Sequence, residues 1–330
     1  MKARFFRVAA VLAAALACAP ASAQVPTQVA TYPLKPVRLV IPFPPGGSVD
    51  SLARAISNEM TRLWGQAVVV EGKPGAGGVT AAAAVAHSAP DGYTIFMTDQ
   101  APLTITPFMQ RDLPYDPVKD FAAVIALVQA SSLVVVPGNY PVNTIPELIA
   151  AAKAKPGAIN FGSWGIGSIA HLGTEEFAAA AGISMTHVPY KGAADMTRGL
   201  LSGEIQLAFT SLSATVSQIR QGQIKALAYG SLKRSPVLPD VPTIAESGLP
   251  GFQVRSWLGW VVPSATPRTI INRIAADAGR VLSVQAFKDK YIDGAGFEVF
   301  GLLSEPFARL LDETRVKNEA QLKRLKLQAN

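Results

Sequence analysis

Cysteine and histidine are scarce in this chain of 330 residues: Cys18 is the one cysteine, and His87, His171 and His187 are the three histidines. Cys18 lies inside a segment that reads as an export leader, so the mature chain is expected to carry neither thiol nor disulfide. None of the histidines shows His-Glu-x-x-His spacing or a partner cysteine, which removes the common zinc signatures, and no metal is expected. After the leader, no apolar run is long enough to span a bilayer. Neither Gly-x-x-x-x-Gly-Lys-Ser nor Gly-x-Gly-x-x-Gly follows a strand pattern, and no Gly-x-Ser-x-Gly elbow exists. Ser168 and His171 stand three apart, within reach of each other, but no orienting acid is evident. The expectation is a protein without cofactor and without catalytic residues.

The leader is legible in three parts. Lys2, Arg4 and Arg7 form a basic region, Val8 to Ala17 an apolar one, and Ala21-Ser22-Ala23 a small-residue cleavage site. Export to the periplasm with cleavage after Ala23 is expected. A second reading makes Cys18 a lipidation site, although Ala15-Leu16-Ala17 matches that signal poorly. With the three basic leader residues removed, 27 of the 30 Lys and Arg remain against 23 Asp and Glu, a net charge of +4. That balance suits attraction of small anions, not nucleic acid, which calls for a clustered basic face with interleaved aromatics. The densest basic run, Lys317 to Lys326, closes a C-terminal helical pattern, where cations complement the helix dipole.

No Gly-, Ser- or Pro-rich linker divides the chain. Strand patterns at Val68 to Glu71, Tyr93 to Met97, Leu133 to Val136, Ile159 to Gly162, Ile205 to Phe209 and Ile224 to Tyr229 alternate with helical ones, implying an α/β fold of mainly parallel sheets flanked by helices. About three hundred mature residues exceed one ordinary core, so two domains joined by chain crossings are expected. Phe121 to Val136, interrupted by the polar stretch Gln129 to Ser132, is the place to cross. Phe252 to Trp257 is the place to return.

The stretch that organises the rest is Tyr32 to Asp50. Val37, Leu39, Val40 and Ile41 form an apolar β-branched run, and Pro42 to Gly47 forbids strand or helix from continuing. A helix then shows Leu52, Ile56, Met60, Leu63 and Trp64 on one face, with Ser48 or Asp50 as cap and Gly65 after the last turn. Strand, glycine loop and helix N-terminus aim unpaired N–H groups and a dipole at one spot, a place for an anion. Gly72 to Gly78 repeats the arrangement before an alanine-rich helix, Val79 to His87. Ser163 to His171 repeats it again, with Ser168 as cap and Gly165 and Gly167 turning N–H groups outward.

These motifs resemble the substrate-binding proteins of tripartite tricarboxylate transporters, the Bug family. The resemblance rests on Tyr32-Pro-Leu-Lys-Pro-Val-Arg-Leu-Val-Ile-Pro-Phe-Pro-Pro-Gly-Gly-Ser-Val-Asp50, on Lys73-Pro-Gly-Ala-Gly-Gly78 and on Pro90-Asp-Gly-Tyr-Thr94. Further matches are Ser163-x-Gly165-x-Gly167-Ser168-x-x-His171, Val188-Pro-Tyr-Lys-Gly192, Asp240-Val-Pro-Thr243 and Glu246-x-Gly248. It implies a two-domain periplasmic-binding-protein (Venus flytrap) architecture. Domain 1 would comprise residues 24–128 and 255–330, and domain 2 residues 129–254. A monomeric receptor closing on a small organic carboxylate and delivering it to a membrane permease is implied, with an exported sensor or scavenger of organic acids as the alternative.

Phe43, Gly46, Gly47, Ser48, Asp50, Gly77, Gly78, Ser163, Trp164, Gly165, Gly167, Ser168, His171, Tyr190 and Thr210 are expected to bind the ligand. Phe43 sits between prolines at a strand's carboxyl end, the usual ligand position in α/β sheets, and Tyr190 is expected to form a wall of the cleft, with Lys191 at its rim. Three departures from the family pattern bear on the site. Ala81 replaces a common glycine. Thr210 replaces an acidic residue, leaving a ligand ammonium one fewer partner. Trp164 replaces a smaller residue and either stacks on a planar ring or packs against its own domain. No arginine in the matched loops offers a fork to a carboxylate. An amine-free carboxylate is expected, an aromatic acid in preference to an aliphatic dicarboxylate.

Overall fold

The computed structural model describes residues 32–327, so the leader, its cleavage site and Cys18 lie outside the described residues. β1 (Val37–Ile41) enters the sheet as a fully apolar run except for Arg38, whose guanidinium pairs with Glu71 at 2.7 Å. The turn that follows releases α1 (Ser48–Trp64), which ends at Gly65 in the left-handed region as the sequence implied. β2 (Val68–Gly72), α2 (Val79–Ala86) and β3 (Thr94–Asp99) follow. β1 pairs in parallel with both β2 and β3.

β4 (Phe121–Pro137) departs most from the sequence reading. Gln129 to Ser132 do not interrupt it; the strand runs through them for 17 residues, with Ser131 and Ser132 buried. Its partners change instead. Up to Ser131 it pairs antiparallel with β9 (Arg255–Pro263) and β10 (Phe297–Leu303), and from Ser132 it pairs antiparallel with β7 (Leu207–Ser211) and β8 (Ile224–Tyr229). Beyond β7 lie β5 (Asn160–Ser163) and β6 (Thr186–Pro189), both in parallel register. The outer strands are therefore parallel, and the long crossing strands add antiparallel pairs, giving one mixed sheet in the order β2-β1-β3-β9-β4-β7-β5-β6.

Helices cover both faces of this sheet. α3 (Ile145–Ala154), α4 (Ile169–Ala181), α5 (Ala193–Ser202) and α6 (Leu212–Arg220) lie against β5 to β8, while α7 (Arg268–Ser283) and α8 (Ser304–Leu325) pack on β4. Each strand group has its own apolar core. One gathers Val40, Phe96, Ala126, Trp257, Val261 and Phe307; two others, around Phe161, Phe177 and Phe209 and around Leu133, Met196 and Leu200, occupy opposite faces of the second group. α8 reaches across: Asn318 donates to Thr104 Oγ1 at 2.9 Å, and Gln321 donates to the Leu172 carbonyl at 3.2 Å.

Helix α1 is anchored by a buried polar contact. Asp277 on α7, fully inaccessible, accepts from the Trp64 indole at 2.8 Å and pairs with Arg273 and with Arg280 at 3.1 Å. Asp277→Ala removes the acceptor for all three donors and is expected to cost about 2–3 kcal/mol. Urea unfolding is expected to show a lowered midpoint at unchanged slope.

Candidate functional site

The first loop is stiffened by its own carboxylate. Asp50, buried inside the first turn of α1, accepts from the Gly46 N–H at 3.0 Å and pairs through both oxygens with Arg54 at 2.9 and 3.0 Å. The Arg54 hydrogen bond holds its carboxyl below the usual range against the opposing effect of burial, with the Gly46 N–H assisting. Asp50 therefore braces the loop, chiefly through Oδ2, which takes both hydrogen bonds. Neither Ser48 nor Asp50 caps α1; Gly47 holds the cap position in extended backbone without a side-chain bond. As a result the first-turn N–H groups of Ser48, Val49 and Asp50 have no acceptor among the described residues.

The third loop departs from expectation in the same sense. Gly165 and Gly167, at φ of 126° and 79°, do not turn their N–H groups toward a ligand. Gly165 donates to Ser163 Oγ at 3.2 Å, and Gly167 donates to His171 Nδ1 at 3.1 Å. Ser168 caps α4 as expected, accepting from the His171 N–H at 3.3 Å. The N–H groups left without an acceptor among the described residues are those of Ile169 and Ala170 in the first turn. His171 is 3 % exposed, and burial together with the neighbouring His187 pushes its pKa down to about 4. It supports the loop from within.

The loops converge on a segment that the sequence did not mark, residues 101–109. Two short helical turns, Ala101–Thr104 and Thr106–Met109, follow β3. A Cβ placed on Gly78 would meet Pro102 at 2.5 Å and Pro42 at 3.3 Å, and one on Gly77 would lie 3.8 Å from Thr106 Oγ1. From the other strand group, a Cβ on Gly167 would meet Met109 Sδ at 2.6 Å. These glycines permit the close approach that seats the second and third loops on segment 101–109. Phe43 is half-buried, and its carbonyl lies 3.2 Å from where a Gly72 Cβ would be.

Tyr190 is a correction. Its hydroxyl lies 2.2 Å from where a Gly199 Cβ would stand on α5, and its ring flanks Gly162, so it fills its own strand group instead of walling the cleft. Trp164 is partly exposed and leans on both apolar clusters of the second group, which favours packing over stacking on a ligand. Thr210 is fully buried with no hydrogen-bond partner for its hydroxyl among the described residues. A cavity of about 310 Å³, small for a ligand pocket, opens where Gly46, Ser48 and Ser51 face Lys290, Tyr291 and Val216 of α6. Lys290 is the nearby cation that sequence reasoning missed, more than two hundred residues away. A second depression, about 390 Å³ between α4, residues 249–253 and Lys317, shares none of the loop residues.

Asp99 at the end of β3 was also unmarked. The β1–β3 register, carried on from Val40 and Phe96, sets it level with Phe43. Its carboxyl accepts from the Ala101 N–H at 2.9 Å, and burial pushes its pKa up to about 6.

Helix N-termini at the carboxyl ends of β1 and β5, one in each strand group, are the arrangement of an α/β solute receptor. The sequence model for the tripartite tricarboxylate transporter family receptor matches residues 52–327. The chain belongs to this family. It is 36% identical over 267 residues to BugT of Bordetella pertussis, covering 81% of this chain and 82% of the relative. Among solved structures, that of R. palustris Rpa4515 with adipate superposes with a TM-score of 0.86 at 32% identity, covering 91% of this chain and 100% of the other. MatC from Rhodopseudomonas palustris with bound malate gives a TM-score of 0.78 at 30% identity, covering 88% and 100%.

The Asp99 shift has a signed consequence. Because the folded-state value lies above the unfolded one, ionising Asp99 opposes folding, and stability falls as pH rises from about 4 to about 6. Asp99→Asn keeps an acceptor for Ala101 and is expected to be more stable at pH 7 by roughly 1–2 kcal/mol, with no difference below pH 4. Urea titrations at both pH values check this, and an advantage that persists in acid would contradict it.

Proposed function

We propose that this chain is an exported receptor that captures a small amine-free carboxylate between the first turns of α1 and α4 and delivers it to a membrane permease. The observation that carries the reading is the set of five first-turn N–H groups, of Ser48, Val49, Asp50, Ile169 and Ala170, lacking acceptors among the described residues in two loops from different strand groups. Carboxylates satisfy such groups directly or through water, and the helix dipoles add to the attraction. Capture needs no covalent step: affinity for the arrangement with both loops in contact stabilises closure of residues 24–128 and 255–330 on residues 129–254. Adipate and malate in the two relatives' structures support an aliphatic dicarboxylate. The packing of Trp164 into its own group lowers the case for an aromatic acid. The receptor acts as a monomer, free of its leader after Ala23.

A thermal-shift and calorimetric panel of adipate, malate, benzoate, phthalate, aspartate and glutamate tests the ligand class. Aliphatic diacids are expected to stabilise most, by about 2.7 kcal/mol at a hundred times their dissociation constant, and to compact the protein in small-angle scattering. Acidic amino acids binding best would overturn the amine-free reading, and an unchanged scattering profile at saturation would overturn closure. N-terminal sequencing of exported material should begin at Gln24; an acylated Cys18 would contradict it. Loss of ligand uptake in cells lacking the chain separates a transport receptor from a sensor, which would instead lose a ligand-induced transcriptional response.

A further inference from the structure

Behind the third loop lies a stack of three rings. His171 and His187 face each other with centroids 3.9 Å apart and planes 11° from parallel, and Phe161 lies against His187 at 4.9 Å and 20°. His171 comes from α4, His187 from β6 and Phe161 from β5. Each imidazole is hydrogen-bonded to the loop from beneath. His171 Nδ1 accepts the Gly167 N–H, which assigns the His171 proton to Nε2. His187 Nε2 lies 2.7 Å from Ser163 Oγ, the same oxygen that accepts the Gly165 N–H and donates to the Gly165 carbonyl at 3.0 Å. With that hydroxyl proton directed at Gly165, His187 Nε2 carries a proton and donates to Ser163.

We propose that the stacked pair His171 and His187 is the positioning device of the Ser163–Ser168 loop, setting the backbone of Gly165 and Gly167 so that the first turn of α4 is presented to the ligand, and that it works only while both rings are neutral. The inference rests on reading this loop as half of the ligand site. Neither ring is a ligand contact. His187 acts through Ser163, and His171 acts through Gly167.

Neutrality is required by the bonding. A protonated His171 would point an N–H from Nδ1 at the Gly167 N–H, two donors facing each other, and the glycine would have to turn away. A charge on either ring would also sit against the other at 3.9 Å. The charged groups around the pair do little to offset this. Glu175 Oε1 on α4 is 3.9 Å from His171 Nε2, too far for a hydrogen bond. β5 presents Phe161 and Ser163 to the stack, and segment 101–109 presents Ile105 and Met109 to Gly167, all uncharged. From α8, Gln321 reaches the Leu172 carbonyl and Arg324 is paired with Glu176 at 3.4 Å. Burial lowers both histidines, His171 to about 4, so the loop holds its shape at neutral pH and loses it in acid.

The test uses the full mature chain without ligand. In amide spectra from pH 7.5 to about 3, the Gly165 and Gly167 resonances should move together, with a midpoint below the usual histidine value of about 6.5 that coincides with the imidazole titration. His187→Ala should speed exchange of these two amides about tenfold at pH 7.5, while β1 amides and far-UV dichroism stay unchanged. His187→Gln, whose amide can donate to Ser163, should restore the slow exchange and shift the pH midpoint. Unchanged exchange of both glycines in His187→Ala would overturn the proposal, as would a wild-type pH midpoint in His187→Gln. Should the alanine variant fail to fold, the glutamine variant decides alone. Adipate and malate affinities are then measured on the same variants: a perturbed loop with unaltered binding would refute the site reading and leave the positioning role standing.

Discussion

A buried β-strand must have hydrogen-bond partners along both edges, and in β4 that requirement extends over 17 consecutive residues. Four other strands satisfy it, β9 and β10 over its first part and β7 and β8 over its second. Every loop proposed to bind ligand hangs from a strand placed by this pairing. β3, which leads to segment 101–109, is held by β9, and β5, which leads to the third loop, is held by β7. The meeting of Gly77, Gly78 and Gly167 on that segment is thus a consequence of register in the centre of the sheet.

Within this frame, the loops share one chemical plan. Some of their polar groups are satisfied internally, by Asp50 in the first loop and by Ser163 and His171 in the third. What stays unsatisfied is the first turn of each helix. The internal bonds prevent the glycine-rich backbone from collapsing onto those N–H groups, so the cost of ordering the loops is met during folding and not at binding. That is why so few charged side chains are needed near an anion.

Much of this was legible in the sequence because proline and glycine act locally. Pro42 to Gly47 could only be a turn, Gly65 could only end a helix, and Ser168 stood where a cap belongs. What was hidden depends on distant partners. Gln129 to Ser132 reads as a break by composition, yet its backbone is paired by strands more than seventy residues away. Asp50 resembled a cap until Arg54 and Gly46 claimed its oxygens. The aim of Gly165 and Gly167 depended on a serine and a histidine already counted as ligand contacts. Tyr190 followed a strand end, as a cleft residue would, but its direction was decided by the absence of a side chain at Gly199. Lys290 and Asp99 carried no motif at all, and only the fold brings them level with the loops.

Met109 against Gly167 sets a limit that belongs to fit more than to affinity. With 2.6 Å between the sulfur and the position of a first side-chain carbon, residue 167 is the point where one strand group seats against the other. A first side-chain carbon there would push the Met109 thioether aside and would sit on a backbone held at φ of 79°, so residue 167 resists substitution on two counts. The fit between the two strand groups at this point is in this sense written into a side chain that is missing.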